Sequence, residues 1–282
     1  MKFASLGSGS SGNATLVTDG ETLLMVDCGF GIKETVKRMA RLDVEPQQID
    51  AIVVTHEHAD HIKGVAPLAR KFNIPVYMTR GTYLAKRFGD FPELQLIENY
   101  QQFAIADIGV IPVAVPHDAR EPAQYIFRSQ NIKLGVLTDL GKITPHIIMA
   151  YRFCQGLLVE ANHDLEMLRA GPYPPMLKYR VGGDWGHLNN GQTAEFLDAV
   201  GLDSVQQLVV GHISVQNNSV ACANRVLEPV IKRNPQLGVH YACQDQGFGW
   251  IELRSPQDVG VDDNAESYED RKMCYENVIR IQ

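Results

Sequence analysis

The sequence has no apolar run long enough to cross a membrane. Its longest purely apolar stretches, such as residues 23–26 and 52–54, are only a few residues long, whereas a spanning helix needs about 20. The N-terminal segment carries one lysine and no apolar stretch, so we expect no signal peptide. A composition of 45% hydrophobic and 21% charged residues excludes a disordered, collagen-like or coiled-coil chain. The 282 residues suffice to bury a core without disulfide staples.

Cysteine is scarce, and there is no excess of positive charge. The five cysteines lie far apart without a CxxC pair, so we expect reduced thiols and a cytoplasmic protein. The formal net charge of −7 gives no sign of a nucleic-acid binder unless a local basic patch exists. Residues 257–282 hold seven acidic and three basic side chains. We therefore expect one folded domain over 1–256, followed by an acidic tail or docking segment over 257–282.

Apolar periodicity predicts an α/β chain. The predicted elements are strands over 14–18, 22–26, 49–55 and 74–78, several strands within 102–137, and helices over 32–42 and 61–72. Asp19 and Gly20 form a hairpin turn signal between the first two strands. From residue 144 onward, helices alternate with short strands. Two halves of this kind predict two packed sheets with helices outside them.

The segment His56-Glu-His58-Ala-Asp60-His61 crowds three histidines and an aspartate directly after an apolar strand. Imidazole and carboxylate are ligands of Zn, Mn and Fe. His56 and His58 point the same way if the backbone is extended, whereas Asp60 and His61 present their groups to a different side. This arrangement suits two metal ions held side by side. The alternative is a polar loop of helix-capping residues.

The HxHxDH pattern after a strand resembles that of the metallo-β-lactamase fold superfamily, which implies a four-layer αββα sandwich. The superfamily uses three later residues at strand ends, and suitable residues occur here in the matching order. The resemblance implies two divalent metal ions: His56, His58 and His117 would hold the first, Asp60, His61 and His212 the second, and Asp139 would bridge them. It also implies that Asp27 supports the metal loop, with a turn cap as the alternative.

The resemblance also implies catalytic roles. Two bound metal ions share and activate a water, which Asp60 is expected to orient or deprotonate. In the branch that cuts tRNA precursors, a strand-end Glu and a later His act as general acid, and Glu160 and His187 match them in order. His163, just after Glu160, is a further catalytic candidate. A phosphodiester needs such a group because its leaving alkoxide must be protonated. The alternative is that Glu160 and His187 only pack and cap.

Longer segments narrow the resemblance to the YycJ/WalJ/VicX group and cover residues 1 to about 254. They are LGSGSSGN at 6–13, EANHD at 160–164, MLRAGPYP at 167–174, LKYR at 177–180, GHLNN at 186–190 and GHIS at 211–214. Asn189 stands where the group commonly has Ser. The group is regarded as bacterial 5′→3′ DNA exonucleases with a suggested place in mismatch repair. The resemblance therefore implies DNA ends as the substrate.

Two sets of residues are candidates for binding that substrate. The first set is Arg169, Lys178 and Arg180 for backbone phosphates, with Tyr173 and Tyr179 for terminal bases. The alternative is a solvated basic face with tyrosines in the core. The second set is Ser8 and Ser10, whose loop would offer backbone N–H groups to a terminal phosphate. The alternative there is a flexible turn.

Three functions remain open from the sequence. The first is a dinuclear-metal phosphodiesterase acting on DNA ends as a 5′→3′ exonuclease. The second is a small-molecule thioester, ester or lactone hydrolase, which the acidic net charge favours mildly. The third is a non-catalytic, metal-binding regulatory protein. The nitrogen and oxygen ligands accept Zn, Mn or Fe, and no oligomeric state is predicted.

Overall fold

The computed structural model describes residues 1–255, so the tail predicted for 257–282 lies outside the described residues. The strands are β1 (Lys2–Gly7), β2 (Ala14–Thr18), β3 (Leu23–Val26), β4 (Ala51–Val53), β5 (Val76–Thr79), β6 (Leu94–Ile97), β7 (Phe103–Ile105), β8 (Ile108–Ala114), β9 (Ala123–Ser129), β10 (Ile132–Leu137), β11 (Gly156–Glu160), β12 (Gln207–Gly211), β13 (Gly238–Tyr241) and β14 (Phe248–Glu252). The α-helices are α1 (Ile32–Met39), α2 (Ala59–Ile62), α3 (Val65–Phe72), α4 (Arg80–Ala85), α5 (Pro145–Tyr151), α6 (Leu165–Ala170), α7 (Pro175–Val181), α8 (Asn190–Val200) and α9 (Val220–Lys232). Two short 3₁₀ helices cover Ala40–Leu42 and Pro46–Gln48.

The strands form two seven-stranded mixed sheets. The first sheet has the order β14-β1-β2-β3-β4-β5-β6, and the second has the order β13-β12-β11-β10-β9-β8-β7. Strands β3 to β6 run parallel in the first sheet, as do β10 to β13 in the second. The β2–β3 hairpin turns at Asp19 and Gly20 with Thr18 opposite Leu23, which confirms the predicted turn.

Three apolar clusters hold four layers together. Phe3 of the first sheet and Tyr125 of the second belong to the cluster between the sheets, and neither is exposed. Leu68 of α3 packs on the outer face of the first sheet. Phe196 of α8 and Leu227 of α9 pack on the outer face of the second. The order of layers is helix, sheet, sheet, helix, which confirms the predicted αββα sandwich.

The helix predicted over 61–72 is two helices, α2 and α3, and the single-helix prediction is wrong. The chain passes close to a strand-end loop at Gly64, whose amide donates to the carbonyl of Cys28 at 2.7 Å. A Cβ on residue 64 would lie 2.1 Å from the carbonyl oxygen of Phe30. The predicted strands over 49–55 and 74–78 are present as the shorter β4 and the shifted β5.

Membrane-spanning helices and disulfide bonds are both absent from the described part of the chain, residues 1–255. No helix within residues 1–255 is long and apolar enough to cross a bilayer. The four cysteines in that range, Cys28, Cys154, Cys222 and Cys243, are free thiols.

Gly64→Ala should lower the free energy of unfolding by about 3 kcal/mol, because the new methyl group overlaps the Phe30 carbonyl and forces backbone movement. Urea denaturation measures this change. Gly31→Ala is the matched control, since a Cβ at residue 31 meets no atom within 4 Å. Equal stability of the two variants would contradict the close approach at Gly64.

Candidate metal centre

Polar side chains meet at the edge where strands of both sheets end. Asp27 follows β3 and His56 follows β4 in the first sheet. Asp139 follows β10, Glu160 ends β11 and His212 follows β12 in the second sheet. Carboxyl ends of parallel strands lie at one edge of a sheet. The two packed sheets therefore bring residues that are far apart in sequence to one place.

One set of imidazoles consists of His56, His58 and His117, whose nearest ring nitrogens lie within 4.8 Å of one another. Nε2 of His117 is 3.2 Å from Nδ1 of His58. His58 has extended backbone angles at the start of α2, so His56 and His58 present their rings to the same side. The structure thus brings together the three residues that the resemblance assigns to the first metal ion.

A second set consists of Asp60, His61 and His212, and its potential ligand atoms also lie within 4.8 Å of one another. Nε2 of His61 is 3.6 Å from Oδ2 of Asp60. Nε2 of His212 is 3.9 Å from the same oxygen. The short helix α2 carries Asp60 and His61 and turns them away from His58, which separates the two sets.

Asp139 lies between these two sets and is 2% exposed. Its Oδ2 is 3.3 Å from Nε2 of His61, and its Oδ1 is 3.5 Å from Nε2 of His212. Asp139 also forms potential metal-binding groups with His56 and with His187. One carboxylate is thus shared by both sets, as a bridging position requires.

Each imidazole is held through the nitrogen that faces away from the centre. The contacts are His56 Nδ1 to Thr55 Oγ1 at 2.9 Å, His61 Nδ1 to Asp27 Oδ2 at 2.8 Å, His117 Nδ1 to the Gly186 carbonyl at 3.0 Å, His212 Nδ1 to Glu160 Oε2 at 3.2 Å, and His58 Nε2 to the Asp118 carbonyl at 3.2 Å. When the far nitrogen donates its N–H to such an acceptor, the near nitrogen of the neutral ring carries the lone pair that binds a metal. Every ring is therefore oriented for metal ligation.

Three inward-facing atoms support a metal-binding role. Nε2 of His56, Oδ2 of Asp139 and Nε2 of His212 are buried and have no well-aligned hydrogen bond within residues 1–255, although Oδ2 of Asp139 lies 3.3 Å from Nε2 of His61. Buried polar atoms without partners are costly. Nitrogen and carboxylate oxygen donors converging in this way fit divalent cations.

Asp27 supports this centre from behind, as the resemblance implied. Its Oδ1 accepts the amide of Thr55 at 2.8 Å, and its Oδ2 accepts the Thr55 hydroxyl at 2.7 Å and contacts His61. Because the hydroxyl proton goes to Asp27, the Thr55 oxygen is free to accept from His56. One carboxylate thus orients two imidazoles.

Left-handed backbone recurs at the strand ends of this site. Asp27, Asp139 and His212 have φ angles of 59°, 56° and 50°. Such angles cost energy in residues other than glycine and cluster at functional sites. Here each one turns a side chain from the end of its strand toward the centre.

The charges of the site compensate one another. Burial raises the pKa of Asp139, but the nearby His212 and His61 lower it by more, so the pKa lies well below its usual range. Burial lowers the pKa of His212, but Asp139, Asp60 and Glu160 raise it to about 10. The pKa of His61 is raised well above its usual value, since Asp139 and Asp27 outweigh burial. Without metal, these two imidazoles therefore carry protons at neutral pH.

The structure brings Glu160 and His187 together. Oε2 of Glu160 is 3.1 Å from Nδ1 of His187, and Oε1 accepts the amides of Leu140 and Leu188. Burial raises the pKa of Glu160, but His187 and His212 lower it to about 2. Glu160 is therefore ionised and cannot itself donate a proton at neutral pH.

His163 does not join this pair. It is fully buried, and neither ring nitrogen has a hydrogen-bond partner in the described part of the chain. Burial lowers its pKa to about 4. At neutral pH the ring is therefore neutral, and it makes no hydrogen bond to Glu160 or His187 that would place it as a general acid. This geometry does not support the expected catalytic role.

Of the three basic candidates, only Arg180 is tied to the rim of the site. It pairs with Asp118, whose Oδ1 lies 3.5 Å from Nε2 of His117. Arg169 pairs with Glu166 at 2.8 Å, and Lys178 donates to the carbonyl of Arg169 at 2.6 Å. Tyr179 is 80% exposed, so the core alternative is wrong for that tyrosine.

Ser8 performs a different task from the one expected. Its amide donates to the Cys243 carbonyl at 3.2 Å, and its hydroxyl oxygen accepts the amide of His212 at 2.8 Å. Gly9 likewise donates its amide to the side chain of Asn13. The amides of Ser8 and Gly9 are therefore not free to bind a phosphate. The Ser8 hydroxyl instead helps to position His212. Ser10 is exposed.

Sequence reasoning missed three supporting residues. Nδ2 of Asn13 lies 3.1 Å from Nε2 of His61 and 3.3 Å from Oδ2 of Asp60. Asn162 donates to the carbonyl of His212 at 3.1 Å. Asp118 contacts two imidazoles. Asp118 directly follows His117 in the chain, and this adjacency to a candidate ligand could have indicated that Asp118 belongs to the site.

Two helix-flanked sheets with clustered imidazoles and carboxylates at the strand ends define a metal-dependent hydrolase of the metallo-β-lactamase fold. The family model described as a beta-lactamase superfamily domain matches residues 22–213. The chain belongs to this family, which confirms the predicted fold and enzyme class.

Relatives of known name cover most of the chain. The exodeoxyribonuclease YycJ of Bacillus anthracis is 33% identical over 253 residues, which span 88% of this chain and 91% of that protein. The exodeoxyribonuclease WalJ of Streptococcus pneumoniae serotype 2 is 35% identical over 224 residues, 77% of this chain and 83% of that protein. The solved structure of the metallo-beta-lactamase fold protein YhfI from Bacillus subtilis has a TM-score of 0.68 at 16% identity, covering 89% of this chain and 99% of that one. That likeness supports the fold alone.

Metal binding should release about two protons at neutral pH, one each from His61 and His212, because ligation requires both rings to lose the protons they otherwise hold. Metal affinity should therefore rise as the pH rises. Calorimetric titration with Zn or Mn in two buffers of different ionisation enthalpy counts the protons. Release of none would contradict this description of the site.

Asp27→Asn should weaken metal affinity about 10- to 100-fold, because the charge behind His61 and Thr55 is removed while the shape is kept. Competition with a chelating dye measures the affinity. The control is Asp43→Asn, an exposed substitution outside the site. If both variants bound metal equally well, the supporting role of Asp27 would be refuted.

Proposed function

We propose that this protein is a 5′→3′ exodeoxyribonuclease that uses two divalent metal ions. The observation that carries the proposal is the carboxylate of Asp139 shared between two imidazole sets, with His187 held beside it by Glu160. The two exodeoxyribonuclease relatives support DNA as the substrate. The polarity rests on the resemblance to the YycJ/WalJ/VicX group. The free thiols of residues 1–255 suit a reducing compartment such as the cytoplasm.

The metal ions would be held by the residues that the resemblance implied. These are His56, His58 and His117 for one ion, Asp60, His61 and His212 for the other, and Asp139 for both. Zn, Mn and Fe all accept this donor set. When bound, the two ions would activate a water and neutralise charge on the phosphodiester. Asp60 is 24% exposed in its side chain, so it reaches the open side of the site and can orient that water.

His187 is the proton donor in this proposal. Its Nδ1 is engaged by the ionised Glu160, so Nε2 is the nitrogen left to face a substrate. The side chain of His187 is 20% exposed, whereas that of Glu160 is fully buried. Glu160 therefore positions the ring by accepting a hydrogen bond at Nδ1. His187 then protonates the leaving 3′ oxygen of the nucleotide being released.

The test uses a linear duplex labelled at either end and protein resupplied with Mn or Zn. His187→Ala should slow release of nucleotides from the 5′ end about 100- to 10,000-fold. The same variant should cleave bis(p-nitrophenyl) phosphate with little loss, since p-nitrophenolate leaves without protonation. Asp139→Ala should abolish both activities, because both imidazole sets lose their shared carboxylate.

Equal losses on both substrates in His187→Ala would contradict the proton-donor role. Absence of cleavage by the wild type, with both metal positions occupied, would overturn the exonuclease proposal. Esters, thioesters and lactones would then be the substrates to test.

A further inference from the structure

A continuous stretch of the chain departs from its acidic average. Residues 61–89 hold six Lys and Arg and no Asp or Glu, within a chain of net charge −7. This stretch begins at His61, the last residue of the HxHxDH segment, and continues through α3, β5 and α4. This stretch is a local basic patch of the kind that a nucleic-acid binder with a negative net charge would need.

The same stretch lines an open groove of about 420 Å³. Lys63, Arg70, Lys86 and Arg87 line it, and all four are exposed. The head groups of Lys63, Lys86 and Arg87 make no hydrogen bond or ion pair with any residue that the structure describes. Unneutralised cations facing one groove favour a polyanion there.

Apolar side chains also line the groove. They are Ile62, Ala66, Pro67 and Phe88. The ring of Phe88 is stacked on that of Tyr83, with the two planes 6° apart. A groove that combines cations with apolar and aromatic side chains is the kind of surface that binds unpaired nucleotides.

The groove adjoins the candidate metal centre. Ala59 and Ile62, which line the groove, lie directly before Asp60 and after His61 in α2. On the other side, Arg120 donates its amide to Glu57 and its guanidinium to the carbonyl of Leu84, at 2.8 and 3.4 Å. A strand lying in the groove would therefore run alongside α2, the helix that carries Asp60 and His61.

We infer that this groove binds the phosphate backbone of single-stranded DNA next to the phosphodiester that is cut, an assignment that rests on the proposed function. Lys63, Lys86 and Arg87 contact phosphates, and Phe88 packs against a base. Arg70 has a supporting role, since it donates to the carbonyls of Phe88 and Asp90 at 3.1 and 3.2 Å and holds that loop.

The test measures binding of a fluorescent single strand of DNA to the full chain in chelator, where no strand is cut. The variant Lys63→Ala/Lys86→Ala/Arg87→Ala should bind about tenfold more weakly at low salt, and its slope of log affinity against log salt should fall by about 2. The control Lys33→Ala/Lys37→Ala/Lys232→Ala removes the same charge from exposed positions elsewhere and should match the wild type. An RNA of the same sequence is measured in parallel.

Unchanged affinity and salt slope in the groove variant would overturn the inference, as would an equal loss in the control variant. A loss confined to RNA would overturn the assignment to DNA. If the wild type releases no nucleotide from DNA but the groove variant still loses affinity, the exonuclease proposal fails and only the binding of single-stranded DNA in the groove stands. If DNA is cut but the groove variant binds DNA like the wild type, the groove assignment fails and the exonuclease proposal stands.

Discussion

A carboxylate buried among imidazoles is the constraint on which this site depends. Asp139 is 2% exposed and lies between His61 and His212. An isolated charge in that position is strongly destabilising. Positive charge must therefore accompany it, as protonated imidazole or as metal. The surrounding histidines and the left-handed backbone at Asp139 meet this requirement, because they place its two oxygens toward different rings.

Two further carboxylates hold the imidazoles from behind, one from each sheet. Asp27, after β3, orients His61 directly and His56 through Thr55. Glu160, at the end of β11, contacts His187 and His212 and accepts amides from two loops. The apolar layer between the sheets determines how far apart these carboxylates lie. Core packing therefore controls the spacing of the two imidazole sets.

Charge is unevenly distributed over this molecule, and the net charge does not reveal its basic groove. A net charge of −7 argues against a polyanionic partner for the chain as a whole. Yet the groove beside α2 is lined by four Lys and Arg side chains. Electrostatic attraction falls off within about 10 Å at moderate salt. A ligand in the groove therefore responds to those cations rather than to acidic residues on distant surfaces.

The sequence by itself determined the α/β class, the β2–β3 hairpin and the residues able to bind metal. Those features are local: a hairpin depends on its turn residues, and the HxHxDH segment carries four donors within six positions. The tertiary structure alone decided the helix break at Gly64, the amide contact of Ser8 with His212 and the isolation of His163. Each of these depends on an atom from a distant part of the chain. Periodicity and spacing describe one segment at a time, whereas hydrogen bonds between strand ends arise only when both sheets pack together.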